Sequence, residues 1–200
     1  MDKRIKTPTQ RDANLTLHQI YKKFKGGHVL RYHTRPELAD GQNVAAHSWR
    51  AMVILHTLWP DISKNALLHM MYHDVAEGEV GDIPATTKWK YTEFAQMLDR
   101  LEQEYETSLG IGKNCVTVTV DEKHLCNMAD KLELVMHCYR LMQRGNSLAR
   151  DVYQKGRRYL IENYQDHKEF IKVEEVLNEL THPEQLETSL DPILQKLHQL

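Results

Sequence analysis

The sequence predicts an all-α fold, because apolar residues recur at helical spacing in at least five segments and no set of segments gives a convincing sheet. Strand propensity is confined to the short run 116–120, which we interpret as a connector. The chain has 200 residues, which is enough for one domain with a sizeable core and few for two.

Start and stop signals bound the first three predicted helices. The first helix is expected to begin after Asn14, a candidate N-cap, and to end at the glycine pair 26–27. A second helix should span about 44–59 and end before Pro60. Ser63 is placed to cap a third helix, which carries a run of apolar residues.

The rest of the chain is interpreted from the same signals. Two glycines and a proline predict a loop at 78–88. Further helices are expected at about 89–109, 121–143 and 147–163.

We divide the chain into three parts. Residues 1–13 are polar and are predicted to form a flexible N-terminal arm. Residues 14–165 form the main domain, and 166–200 form a C-terminal helical extension packed on or beside it.

Composition excludes several classes of protein. Hydrophobic residues make up 41% and charged residues 27%, which is ordinary for a globular protein. The net charge of −2 argues against a nucleic-acid partner, and no stretch approaches the ~20 apolar residues of a membrane span. The three cysteines form no C-x-x-C pair, so we expect free thiols, a cytoplasmic protein and no membrane partner.

A metal site is the strongest chemical prediction. His73 and Asp74 are adjacent near the end of an apolar helix, one turn before Gly78, where both side chains can bend towards one divalent ion. His47, from the preceding helix, and Asp130, from a later one, are candidates for the third and fourth ligands. Nitrogen and oxygen donors without a thiolate suit Zn, Co, Mn, Ni, Fe or Mg, and open coordination positions indicate a catalytic site.

Two acidic and two basic residues are further candidates for the site. Glu77 follows His73 by four positions and so shares its helix face, and Asp82 comes soon after. A carboxylate beside a metal-bound water can orient it or exchange its proton. Arg31 and Lys88 suit phosphate binding, although without the metal motif each would be interpreted as a solvated surface residue.

Together these pieces resemble the HD-domain phosphohydrolases. More narrowly, the chain is similar to bacterial 5′-deoxynucleotidases and to phage deoxynucleoside triphosphohydrolases that act on dATP. The matching pieces lie within residues 14–160 and are Leu30-Arg31-Tyr32-His33-Thr34, Val44-Ala45-Ala46-His47-Ser48-Trp49, His73-Asp74-Val75-Ala76-Glu77, Gly81-Asp82-Ile83-Pro84, Lys88 and Ala129-Asp130-Lys131.

The resemblance implies a compact helical HD-domain fold that forms a homodimer or a higher homo-oligomer. It implies metal ligands at His47, His73, Asp74 and Asp130. It implies that Glu77 and Asp82 act as the acid–base or water-orienting pair, and that Arg31 and Lys88 contact phosphate. Tyr32, where the family often has Trp, is implied to pack against the sugar and to disfavour a 2′-hydroxyl. Ala46 stands where the family commonly has Glu.

The predicted reaction is hydrolysis of the 5′-phosphate ester of a 2′-deoxynucleotide. The segments 33–34 and 47–49 look more like the phage enzymes, which favours a dATP triphosphohydrolase that releases deoxyadenosine and triphosphate. The alternative is a 5′-deoxynucleotidase that acts on deoxynucleoside monophosphates. A non-catalytic nucleotide-sensing HD module is disfavoured because Glu77 and Asp82 are both present.

Overall fold

The computed structural model describes residues 10–35, 37–111 and 116–180, with the side chains of 10–16, 85, 86 and 89 excepted. In this part of the chain there are nine α-helices, one 3-10 turn and no β-strand beyond an isolated bridge between Leu30 and Asn43. The prediction of an all-α fold is confirmed. The helices are α1 (Gln10–Gly27), α2 (Val44–Leu58), α3 (Lys64–Tyr72), α4 (Glu77–Val80), α5 (Ala85–Lys90), α6 (Thr92–Ser108), α7 (Val120–Gln143), α8 (Arg150–Tyr164) and α9 (Phe170–Glu179).

Side-chain caps define the beginnings of the helices that matter most for the site. Asn43 accepts a hydrogen bond from the backbone of Ala46 and begins α2. Ser63 begins α3 as predicted, and Thr119 with Glu122 forms a capping box at the start of α7. Among the described helices, none is long and apolar enough to cross a bilayer.

The 24-residue helix α7 lies at the centre of the core and packs against α2, α3 and α8. Its buried side chains, among them Leu132 and Val135, belong to one large apolar cluster. Gly156 allows α8 to approach closely, because a Cβ atom there would lie 2.8 Å from Val135 Cγ2. Burial on this scale supplies most of the driving force for folding.

Several boundaries differ from the sequence predictions. Helix α1 begins at Gln10, so residues 10–13 of the predicted arm are helical, and residues 1–9 lie outside the described part. The predicted loop 78–88 instead contains most of α4 and the start of α5. Its glycine and proline residues mark the boundary between these two short helices. Gly81, at φ +82°, ends α4, and Pro84 immediately precedes α5.

The C-terminal part of the described chain joins the same core. Helix α9 buries Phe170, Val173 and Leu177 in the cluster that surrounds α7. Residues 181–200 of the predicted extension lie outside the described part, and the proposed domain boundaries stay a prediction.

The ends of α1 and α4 meet through two glycines. A Cβ atom on Gly78 would lie 2.8 Å from both Cα and N of Gly26, and one on Gly26 would lie 2.4 Å from the carbonyl oxygen of Val75. Real Cβ atoms do not approach other atoms so closely. The contact therefore holds the segment after α3 against α1.

We predict that Gly78→Ala destabilises the protein by about 1–3 kcal/mol, because the added methyl group overpacks backbone that has no room to move. The measurement is the free energy of unfolding in urea. Gly27→Ala is the matched control, since its Cβ would lie 3.2 Å from its nearest neighbour, the Cβ of Ala45, which needs a shift of only a few tenths of an ångström. Equal stability of Gly78→Ala and wild type would contradict the close packing described here.

Candidate metal centre

Three separate parts of the fold bring the predicted ligands together. His47 lies on α2 and is fully buried, and Asp130 lies on α7. His73 is the C-cap of α3 and Asp74 follows it, so both lie where the helix ends, as the sequence predicted. The three elements meet because α2 and α3 both pack against α7.

The four side chains face one another at short range. His47 Nε2 lies 3.2 Å from His73 Nε2. Asp74 Oδ2 lies 3.6 Å from the first of these nitrogens and 3.3 Å from the second. Asp130 Oδ1 lies 3.0 Å from His47 Nε2 and 3.7 Å from His73 Nε2. Within the described residues, His47, His73 and Asp74 form a candidate metal group whose donor atoms lie within 4.8 Å of one another, and Asp130 borders it.

The far nitrogen of each imidazole has an acceptor as its partner. His73 Nδ1 lies 2.7 Å from the carbonyl oxygen of Met70, and His47 Nδ1 lies 2.7 Å from Glu133 Oε2. Each Nδ1 therefore carries a hydrogen and donates it, so that each ring, when neutral, directs the lone pair of Nε2 into the cluster. Two lone pairs at 3.2 Å repel unless a cation or a proton lies between them. The donor set thus fits a divalent metal ion.

The electrostatics of the centre also favour a positive charge. Burial tends to raise the pKa of Asp74, but His73 and Arg31 lower it below its usual value. Burial also tends to raise the pKa of Asp130, yet Lys131 and the two imidazoles hold that pKa well below the usual range. Burial lowers the pKa of His73, but the two carboxylates outweigh it and raise that pKa to about 9. Two ionised carboxylates close together in a partly buried site favour a compensating cation.

Two basic side chains supply part of that charge. The guanidinium of Arg31 forms an ion pair with Asp74 Oδ2, and Lys131 Nζ lies 3.0 Å from Asp130 Oδ2. Burial would lower the pKa of Arg31, but Asp74 raises it above its usual value, so the guanidinium stays charged. Arg31 therefore lies beside the metal-site residues, and its Nε is buried without a hydrogen-bond partner among the described residues.

Tyr32 is held in an uncommon backbone conformation. Its φ of +60° is rare for an aromatic residue. The backbone N–H donates to Asp82 Oδ2 at 2.7 Å, which ties the predicted acid Asp82 to the Tyr32 loop. The ring stacks on His137 at 5.3 Å between centroids, and the guanidinium carbon of Arg31 lies 5.2 Å from the centroid of the Tyr32 ring. Backbone strain of this kind is typical of functional sites.

Glu77 has the properties of a proton donor. Its Oε2 atom is buried and has no hydrogen-bond partner among the described residues. Burial, and then the charge of Asp74, raise the pKa of Glu77 to about 8. A carboxyl group in this state holds its proton at neutral pH and can donate it.

Lys88 lies in a different environment from Arg31. Its Nζ pairs with Glu102 Oε1 at 3.5 Å, across the contact between α5 and α6. Burial raises the pKa of Glu102, and Asp74 contributes in the same direction, so this pair lies within electrostatic range of the centre. The role of Lys88 as a phosphate contact stays a prediction.

Sequence reasoning missed the carboxylate that supports His47. Glu133 is only 2% exposed, accepts from His47, and also accepts from Gln42 Nε2 at 2.7 Å. Its pKa is lowered, because the bonds from His47 and Gln42 outweigh the effect of burial. Ala46 offers no carboxylate on α2, and Glu133 supplies one from α7. The available signal was its spacing, three residues after Asp130 on the same helix face.

Comparisons with known proteins agree with this fold. Two solved structures share the fold. One is a protein from Pyrococcus horikoshii OT3, with 18% identity and a TM-score of 0.63 over 82% of this chain and 97% of that one. The other is a conserved hypothetical protein from Pyrococcus furiosus, with 20% identity and a TM-score of 0.62 over 83% of this chain and 99% of that one. No curated protein sequence matches this chain.

The sequence also matches a family model. Residues 29–180 match the family described as 5′-deoxynucleotidase YfbR-like, and this range contains all four predicted ligands. The expected HD-domain resemblance and the expected metal-dependent phosphohydrolase are confirmed by this match together with the candidate metal group. The chain therefore belongs to the YfbR-like 5′-deoxynucleotidase family.

Proposed function

We propose that this protein is a 5′-deoxynucleotidase that hydrolyses deoxynucleoside monophosphates to a deoxynucleoside and phosphate. The observation that carries the proposal is the convergence of two imidazoles and two carboxylates in a chain that matches this family. We further propose His47, His73, Asp74 and Asp130 as the ligands of one divalent ion.

The family match supports the monophosphate alternative over the dATP triphosphohydrolase that the short segments 33–34 and 47–49 favoured. The charges beside the centre support the same choice. Arg31 and Lys131 both pair with its carboxylates, and Lys88 pairs with Glu102. A triphosphate carries more negative charge than a monophosphate and needs more cationic partners.

Two imidazole donors also bear on the choice of metal. Mg²⁺ prefers oxygen ligands and usually keeps several waters. Imidazole suits Zn, Co and Ni better, and the two carboxylates also suit Mn, so we propose one of these four as the working ion. A homodimer or higher homo-oligomer stays a prediction.

The side chains have distinct roles in this proposal. A bound divalent ion supplies Lewis-acid polarisation of the phosphate and an activated water. Arg31 binds a phosphate oxygen through its planar fork while it keeps Asp74 oriented. Water attacks phosphorus and gives a proton to the carboxylate of Asp82, the bond between phosphorus and O5′ breaks, and the protonated carboxyl of Glu77 gives its proton to O5′. Asp82 holds the Tyr32 loop and completes the predicted acid–base pair.

We predict that Asp74→Ala and Asp130→Ala lose bound metal while their circular dichroism stays helical, because each removes an anionic donor. Metal content is measured by mass spectrometry after exhaustive dialysis. Asp151→Ala is the matched control, since Asp151 is an exposed residue of α8 that pairs only with Lys155 among the described residues. Full metal content in either site variant would remove that residue from the ligand set.

We predict that Glu77→Gln keeps metal and nucleotide binding but lowers turnover by roughly 10²–10⁴-fold, because the amide cannot donate the proton that the leaving oxygen needs. The measurement is phosphate release from dAMP at saturating substrate. Glu79→Gln, two residues along α4, is the control, since Glu79 pairs at the surface with Lys25. Wild-type turnover in Glu77→Gln would end the proton-donor assignment.

We predict that wild type prefers dAMP to AMP by roughly ten- to hundredfold in kcat/KM, and that Tyr32→Ala reduces this ratio. An aromatic ring against the sugar leaves a 2′-hydroxyl buried without a partner, which costs about 1–3 kcal/mol. Tyr21→Ala is the control, because Tyr21 is 63% exposed on α1. Equal efficiencies for dAMP and AMP in wild type would refute selection for the sugar, and an unchanged ratio in Tyr32→Ala would assign it to other residues.

A further inference from the structure

We propose that Glu133 is a positioning residue that fixes the ring orientation and tautomer of His47 for metal binding. This inference rests on the proposed function, since it assigns a role within the same metal centre. Glu133 itself does not face the donor cluster, because its contacts lie on the far side of the His47 ring.

Helix α7 holds the His47 ring from both ends. Asp130 Oδ1 lies 3.0 Å from Nε2, and Glu133 Oε2 lies 2.7 Å from Nδ1. The two carboxylates are three residues apart and so share one face of the helix. His47 has no exposed surface, so the ring has no water to replace either partner. One helix therefore sets both the position of the ligand nitrogen and the direction of its lone pair.

The tautomer follows from the same contact. A carboxylate accepts hydrogen bonds and cannot donate one while it is ionised, so Nδ1 must carry the hydrogen. The opposite tautomer places a lone pair against a buried carboxylate and a hydrogen at Nε2, where the metal binds. Carboxylate partners of this kind orient ligating imidazoles and make them more basic.

Glu133 is itself held by partners on its second oxygen. Gln42 Nε2 donates to Oε1 at 2.7 Å, and Arg50 Nη1 lies 3.7 Å from the same atom. The carbonyl oxygen of Gln42 accepts from the backbone N–H of Arg31 at 2.9 Å. Glu133 therefore links a metal ligand to the loop that carries the predicted phosphate contact.

A purely structural role makes a different prediction from a positioning role. If Glu133 only fills space in the core, the nearly isosteric Glu133→Gln preserves its volume and leaves metal affinity unchanged. If it positions His47 by charge, the neutral amide is a weaker acceptor, and its NH₂ group is also able to face Nδ1. Metal affinity then falls although the fold is kept.

The test is titration of chelator-treated protein with Co²⁺, followed by visible absorption. We expect Glu133→Gln to bind Co²⁺ about 10–100-fold more weakly than wild type, with unchanged circular dichroism. Glu104→Gln, an exposed change on α6, is expected to bind like wild type. In the metal-free proteins, ¹⁵N NMR should show Nδ1 of His47 fully protonated in wild type and only partly protonated in Glu133→Gln.

Each outcome decides between the proposals. Wild-type Co²⁺ affinity and an unchanged His47 tautomer in Glu133→Gln would overturn the positioning role and leave the proposed function intact. Absence of Co²⁺ binding in wild type would overturn the metal centre itself. If Glu133→Gln does not fold, Glu133→Asp tests the same link, because it keeps the negative charge but shortens the side chain away from His47 Nδ1. An unchanged affinity in that variant would then overturn the inference.

Discussion

The structure depends on the charge balance of one partly buried cluster. Two imidazole nitrogens face each other at 3.2 Å, and two ionised, partly buried carboxylates adjoin them. Such a cluster is unfavourable without a positive charge at its centre. Arg31 and Lys131 neutralise the outer oxygens, and a divalent ion held by these residues would remove the remaining repulsion.

The helices position the cluster through contacts made elsewhere. Helix α7 provides one ligand and also the carboxylate that orients His47, so its packing in the core fixes half of the centre. The glycine contact between α1 and α4 fixes the segment that follows α3. Asp82 holds Tyr32 in its uncommon conformation. The site is therefore preorganised by several independent packing contacts, as a catalytic centre requires.

Much of this could be predicted from sequence, for identifiable reasons. Ser63 as a cap, Pro60 as a stop and the position of His73-Asp74 at a helix end are local features, and local features are legible in a sequence. The short helices α4 and α5 were missed because glycine and proline mark the ends of short helices as well as loops. Glu133 was missed because its spacing shows only which face it shares with Asp130. Its partner, His47, is 86 residues away and is fixed by tertiary packing.

The most direct test of the account is to restore metal to chelator-treated protein while phosphate release from dAMP is measured. The account predicts no turnover without metal, and turnover that rises in proportion to bound Co²⁺ or Mn²⁺ and saturates at one ion per chain. Deoxyadenosine and inorganic phosphate should be the products. Full activity in the metal-free protein, or no hydrolysis of any deoxynucleoside monophosphate at full metal occupancy, would contradict it.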